Sequence, residues 1–234
     1  MALYAIGDLH LGTAVDKPMD VFGSTWKDHA AQMRQNWLDA IDDDDIVCIP
    51  GDISWAMTLD EAVDDLSWIA SLPGKKIMIR GNHDYWWNGI SKVRKLLGEG
   101  MFALQNDCVV IDGLCFAGTR GWLLPSHPSF HGAEDERILQ RELHRLELSL
   151  QEAAKTELPI VCMTHYPPIE NQVSKTVFQT TLEQYGVKLC LYGHLHGPSH
   201  RFAVNDLVGG TVYQLVSSDF LGFKPLRIPD AWLT

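Results

Sequence analysis

The sequence predicts an α/β fold in which several strands deliver polar side chains to one edge of a sheet. Two observations predict it. Apolar, β-rich runs share the chain with segments of helical period. Five of those runs, at 2–6, 45–50, 75–80, 159–163 and 188–192, end directly in short polar clusters. Ligand sites of open α/β sheets form outside the carboxyl ends of the strands, so five such ends converge on one crevice.

Taken in order, the run 2–6 leads into Asp8-Leu9-His10 with no basic segment ahead of it, which argues for a strand and against a signal peptide. Residues 11–25 are punctuated by Gly and Pro and read as a loop. Residues 26–40 have helical spacing, with Ala30, Met33, Trp37 and Ile41 on one face. The acidic group Asp42 to Asp45 reads as a solvated turn into the second strand. Thr58 and Glu61 form a capping box opening a second helix that runs to about Ala70. A third, short helix covers 90–97. The β-rich runs 108–111 and 114–117 flank Asp112-Gly113 and read as a tight hairpin.

A loop from Gly118 to Gly132 follows, then a long charged amphipathic helix at 133–156. Its apolar stripe of Ile138, Leu139, Leu143, Leu146 and Leu150 packs on the sheet. Two further β-like runs, 201–204 and 211–216, lie either side of Gly209-Gly210. No repeat or linker interrupts the chain, so residues 1–234 read as one domain.

Composition narrows the function. An apolar fraction of 46% and a charged fraction of 21% are those of an ordinary folded protein, and no run is long enough to span a membrane. The five cysteines are odd in number and never spaced Cys-x-x-Cys, so they read as small buried hydrophobes in a reducing cytoplasm. A net charge of −11 argues against a nucleic-acid partner. An anionic substrate would be repelled unless bound cations reversed the local field.

The clusters suit such cations. Asp8 and His10, two apart at a strand end, project to one side. A carboxylate with an imidazole suits Mn²⁺, Fe²⁺ or Zn²⁺. Asp52 follows the sharp Pro50-Gly51 turn, and its two oxygens can bridge two ions. Asn82 offers a neutral carbonyl oxygen while His83 beside it points elsewhere, which divides the pair into ligand and proton donor. His165 follows an apolar run and precedes the rigid Tyr166-Pro167-Pro168. His194 and His196, flanked by Gly193 and Gly197, can turn their rings toward two metals. Singly, each has a plainer account as a turn or a core histidine; jointly they are specific.

The order Asp-x-His, Gly-Asp, Gly-Asn-His-Asp, His, Gly-His-x-His resembles the calcineurin-like metallophosphoesterases, from Asp8 to His196 with no signature position missing. The resemblance implies a four-layer sandwich of two mixed sheets flanked by helices, with a dinuclear metal centre. It implies that Asp8, His10, Asp52 and His196 hold one divalent ion, and Asp52, Asn82, His165 and His194 the other. A metal-bridging hydroxide would then attack the phosphorus of a small phosphorylated substrate in line, with protonated His83 serving the leaving oxygen. Asp84 reads as a support of the loop or simply as a cap of the next turn. Ile53-Ser54-Trp55 departs from the protein phosphatases, Trp55 from the purple acid phosphatases, and His83 from the lipid A pathway pyrophosphatases. The motif set is shared with class III cyclic nucleotide phosphodiesterases, which favours a phosphodiester.

Phosphomonoesterase or nucleotidase activity, a nuclease of the same superfamily, and a metal-binding interaction scaffold are the alternatives. Arg120, framed by glycines, reads as a phosphate holder or as a structural arginine. Trp55, Trp86 and Trp87 are placed either to stack on a substrate ring or to pack. The 118–132 loop, with His127 and His131, has the residues to wall a small pocket.

Overall fold

Period-two alternation along the strands divides their apolar side chains between two cores, so each sheet is covered on both faces. The computed structural model describes residues 1–170 and 174–233. In chain order the strands are β1 (Leu3–Ala5), β2 (Ile46–Ile49), β3 (Lys75–Met78), β4 (Met101–Ala103), β5 (Val109–Ile111) and β6 (Leu114–Thr119), then β7 (Ile160–Thr164), β8 (Leu189–Tyr192), β9 (Leu207–Val208), β10 (Thr211–Leu215) and β11 (Leu226–Arg227). The helices are α1 (His29–Leu38), α2 (Leu59–Ala70), α3 (Ile90–Leu96), α4 (Gly132–Ala154) and α5 (Val177–Gln184).

One sheet has the order β11-β1-β2-β3-β4, parallel except where β11 runs against β1. The other has the order β5-β6-β7-β8-β10-β9, parallel inside with antiparallel edges. Leu3, Ala5, Ile46, Cys48 and Ile77 of the first sheet share a core with Phe116, Val161, Met163 and Leu191 of the second. The alternate residues Tyr4, Val47, Ile49 and Met78 pack outward with Met33, Trp37, Leu66, Ile69 and Val93 of α1, α2 and α3. Cys162, Cys190 and Tyr213 pack outward with Leu139, Leu146, Leu150, Phe178 and Leu182 of α4 and α5. Helices, sheet, sheet and helices therefore form the expected four-layer sandwich of two mixed sheets. None of the helices described is long and apolar enough to cross a membrane.

Local signals account for much of this. Thr58 Oγ1 accepts from Glu61 N–H and the Glu61 carboxylate accepts from Thr58 N–H, completing the capping box. Asp112 and Gly113 take φ of +50° and +82°, as a two-residue hairpin turn requires. The segment 201–204 differs from its expected strand. A short 3₁₀ helix, Gly197–Phe202, carries Pro198 in its first turn, and Tyr192 Oη then donates to Val204 O and accepts from Val204 N–H. The edge strand is displaced to β9. Asp45 also differs from the solvated turn expected of it. It is buried, accepting from Ala2 N–H at 2.6 Å and Asp42 N–H at 3.0 Å.

Backbone bonds tie the strand exits together, one of them between the two sheets and two within a sheet. Gly7 N–H after β1 donates to Val216 O after β10 at 2.7 Å, and Asp8 N–H donates to Gly51 O after β2 at 3.0 Å. Gly193 N–H after β8 donates to His165 O after β7 at 3.1 Å. These bonds bring the strand-end clusters together.

Candidate metal centre

The site stands on strained backbone. Asp8, His10, Asp52 and His194 take φ of +55°, +46°, +50° and +73°, in the left-handed region that Asp and His enter more readily than most side chains. Such residues cost of order 1–3 kcal/mol each and persist only where neighbours hold them. The holding bonds are present. His10 N–H donates to Asp52 O at 3.0 Å, and His194 N–H reaches both Asp8 carboxylate oxygens at 3.1 Å. Glycines let these loops touch: a Cβ at Gly81 would lie 2.1 Å from Asp52 Oδ1, and one at Gly193 2.3 Å from Asp8 Oδ2.

All seven side chains expected to hold metal meet in one place. Ligand-type atoms of Asp8, His10 and His196 lie within 4.8 Å of one another, and so do those of Asp8, Asp52 and His165. His10 Nε2 and His196 Nε2 face each other at 3.3 Å, and His196 Nε2 is 3.4 Å from Asp8 Oδ1. Asp52 Oδ2 lies 3.4 Å from His165 Nε2 and 3.8 Å from His10 Nε2, between the two groups. Asn82 Oδ1 is 2.7 Å from His165 Nε2 and 2.9 Å from His194 Nδ1.

Electrostatics test whether this set suits cations. Asp8 and Asp52 are buried, and among the described residues no lysine or arginine pairs with either. Burial works to discharge His165, but the Asp52 and Asp8 carboxylates outweigh it and hold it up at about 9. His196 is likewise held up at about 10 against its burial, by Asp8 and Asp219. Burial pushes His10 down to about 4 and His194 down to about 3. The carboxylates thus demand positive charge, and imidazolium rings answer that demand here. Divalent cations would supply the charge and free the ring nitrogens as ligands, so the donor set fits them.

Residues 1–198 match the calcineurin-like phosphoesterase family. The chain belongs to that family. Among curated proteins, the Gene 66 protein of Mycobacterium phage D29 is similar, at 38% identity over 78 residues, or 33% of this chain and 37% of that protein. The Gene 66 protein of Mycobacterium phage L5 is 35% identical over 77 residues, again 33% of this chain and 37% of that protein. The chain therefore spans a little over a third of the length of these relatives. A crystal structure of a protein of unknown function, AQ665 from Aquifex aeolicus, shares the fold with a TM-score of 0.50 at 14% identity, covering 97% of this chain and 95% of that one.

In this calcineurin-like chain four of the candidate ligands, His10, Asp52, His194 and His196, line a cavity of about 640 Å³ with His83, Trp55, Trp26, Met19, Phe22 and Pro198. His83 anchors through its backbone, its N–H donating to Asp52 Oδ1 at 2.8 Å. Its ring packs on Trp55 at 4.4 Å, and the same indole stacks on His10 at 5.0 Å. Trp55 thus packs against two imidazoles, while Trp86 and Trp87 are buried. Asp84 ties two site loops by accepting from Gly81, Ile53 and Ser54 N–H and from Trp86 Nε1. Burial and the Asp52 charge push Asp84 up to about 6, against three of those backbone bonds.

Arg120 is placed elsewhere. Its guanidinium lies 3.4 Å from buried Glu142 Oε1 and over the Trp122 ring, and it does not line the cavity. Its carbonyl is what serves the site, accepting from His165 N–H at 3.0 Å and Tyr166 N–H at 2.9 Å. His127 and His131 are exposed and also outside the cavity. The wall expected of the 118–132 loop is supplied instead by residues 19–26 and by the segment after His196. We expect Arg120→Ala to cost about 1–3 kcal/mol of unfolding free energy, as loss of a bond to a buried charge does. Urea unfolding measures it. A several-fold rise in KM with stability unchanged would return Arg120 to the substrate.

Sequence reasoning missed Asp219. Its Oδ1 is 2.8 Å from His196 Nδ1, and it lines the cavity. The signal was available: Ser217-Ser218-Asp219 follows the apolar run 211–216 just as the other clusters follow theirs. Because β10 pairs parallel with β8, this cluster leaves the sheet on the same edge.

Proposed function

We propose that this chain is a dinuclear-metal-dependent phosphoesterase acting on a small phosphodiester. The observation that carries the reading is the meeting of two carboxylates, one amide oxygen and four imidazoles in one cluster, of which Asp52, His10, His194 and His196 open onto one cavity. Asp8, His10, Asp52 and His196 would hold one divalent ion, and Asp52, Asn82, His165 and His194 the other. Mn, Fe and Zn all suit these donors. The ions, when bound, would polarise the phosphoryl oxygens and acidify the attacking water for in-line displacement. Asp52 sits between the two ligand groups and sets their separation. His83, at the cavity wall with its Nδ1 lacking a hydrogen-bond partner, would give a proton to the leaving oxygen. Trp55 fixes the His83 ring, and Asp84 fixes the loop that carries it.

The cavity supports a diester. None of its lining residues is a lysine or arginine, while Met19, Phe22, Trp26, Trp55 and Pro198 offer apolar surface. A polyphosphate would find no lysine or arginine in that lining. A diester carries less negative charge than a monoester and brings a second organic group for that apolar wall. The volume of about 640 Å³ is that of a small-molecule site. The same lining and the net charge of −11 count against the nuclease alternative. All five cysteines are free, which supports a reducing, cytoplasmic setting.

The test compares bis(p-nitrophenyl) phosphate with p-nitrophenyl phosphate, with Mn²⁺ added to metal-free protein. We expect metal-dependent turnover, with the diester hydrolysed at least as well as the monoester. A monoester preference of about tenfold or more in kcat/KM would overturn the diester assignment. Absence of turnover with any divalent ion would overturn the enzymatic reading.

A further inference from the structure

Asp219 lies outside the stretch that matches the family, yet its carboxylate is fixed on both oxygens. Oδ1 accepts from His196 Nδ1 at 2.8 Å, and Oδ2 accepts from Gly197 N–H at 3.0 Å and is 3.3 Å from His200 Nε2. The carboxylate is almost wholly buried, at 5% exposure. The turn carrying it is anchored on the loop of Asp8: Ser218 N–H donates to Gly7 O at 3.0 Å and Ser218 Oγ to Asp8 O at 2.7 Å. Phe223 N–H closes the turn onto Ser218 O at 2.7 Å.

The other nitrogen of the same ring, His196 Nε2, faces Asp8 Oδ1 and His10 Nε2 at 3.4 and 3.3 Å. A ligating imidazole that donates its second N–H to a carboxylate is fixed in tautomer and orientation and made more basic. Two of the other three rings lack this arrangement. His165 Nδ1 is 3.1 Å from the Pro50 carbonyl, a neutral partner, and His10 Nδ1 is buried with no hydrogen-bond partner.

We propose that Asp219 is a positioning residue for the centre, aiming His196 Nε2 at Asp8 and His10 and tightening the ion held there above its neighbour. The proposal rests on the two-metal reading. It places part of the metal-binding machinery on the chain that follows β10.

Calorimetric titration of metal-free protein with Mn²⁺ tests it. Asp219→Ala should weaken one of two equivalents by about 10–100-fold, as loss of such a partner does, and leave the other far less changed. Asp219→Asn should fall between Ala and the parent, since its amide oxygen still accepts the Nδ1 proton. Thermal unfolding of the metal-free proteins should shift for both variants, because Asp219 accepts from Gly197 N–H and His196 there; the unequal loss of the two equivalents is what a merely structural role would not produce. Equal weakening of both equivalents, or affinities within about twofold of the parent, would overturn the proposal. A second readout needs no metal. In protein labelled with ¹⁵N-histidine, the His196 Nδ1 proton should give a slowly exchanging signal that Asp219→Ala abolishes. If the parent bound no metal, the two-metal reading would fall while this signal still decided the contact; its persistence in Asp219→Ala would overturn the assignment.

Discussion

Asp52→Asn is expected to leave the fold standing while both metals bind more weakly and turnover is abolished. The substitution keeps the shape and the backbone bond from His10 N–H to Asp52 O. It replaces one carboxylate oxygen with an NH₂ group. Oδ2 lies 3.4 Å from His165 Nε2 and 3.8 Å from His10 Nε2, while Oδ1 accepts the His83 N–H. Turning the amide oxygen toward either partner therefore points the NH₂ group at the other, and the negative charge shared by the two groups is gone. Removing a residue that merely supports a ligand costs about 10–100-fold, so removing a ligand common to both ions should exceed about 100-fold in kcat/KM. Elemental analysis after reconstitution should find fewer than two ions per chain. A variant that retained two and hydrolysed the diester at the parent rate would refute the bridging assignment.

How far the sequence reached depended on whether the signal was local. The strand ends were legible because each apolar run is buried on both faces and stops at a residue that turns the chain, as at Gly51 and Gly193. The Thr58 capping box and the Asp112-Gly113 hairpin were legible for the same reason. Helix α5 was not, because Val177, Thr180 and Thr181 are weak helix formers; the Thr176 cap and the burial of Phe178 and Leu182 stabilise it instead. Strands β4 and β11 are short edges whose identity comes from pairing with β3 and β1. Within the site, residue types marked the ligands, but the partners of those ligands depended on tertiary placement. Arg120 sits in a glycine-framed loop whose side chain the fold turns toward Glu142 on α4. Asp219 lies 23 residues from the ring it holds.

His83→Ala should separate metal binding from proton transfer. The ring touches the centre only from the side: its centroid is 5.8 Å from that of His10, and the bond to Asp52 comes from the backbone N–H, which alanine keeps. Both ions should therefore stay bound, with the void falling against Trp55. The chemistry should suffer according to the leaving group. An alkoxide needs a proton as the bond to phosphorus breaks, and a positioned acid is worth about 10²–10⁴-fold in that step. A nitrophenolate leaves with little help. Across a series of diesters with increasingly basic leaving groups, the variant should fall progressively further behind the parent. Two results would refute the assignment. A variant that lost its metals would make His83 a support of the centre, and a deficit independent of the leaving group would mean that the ring stabilises charge on the phosphoryl group without donating a proton.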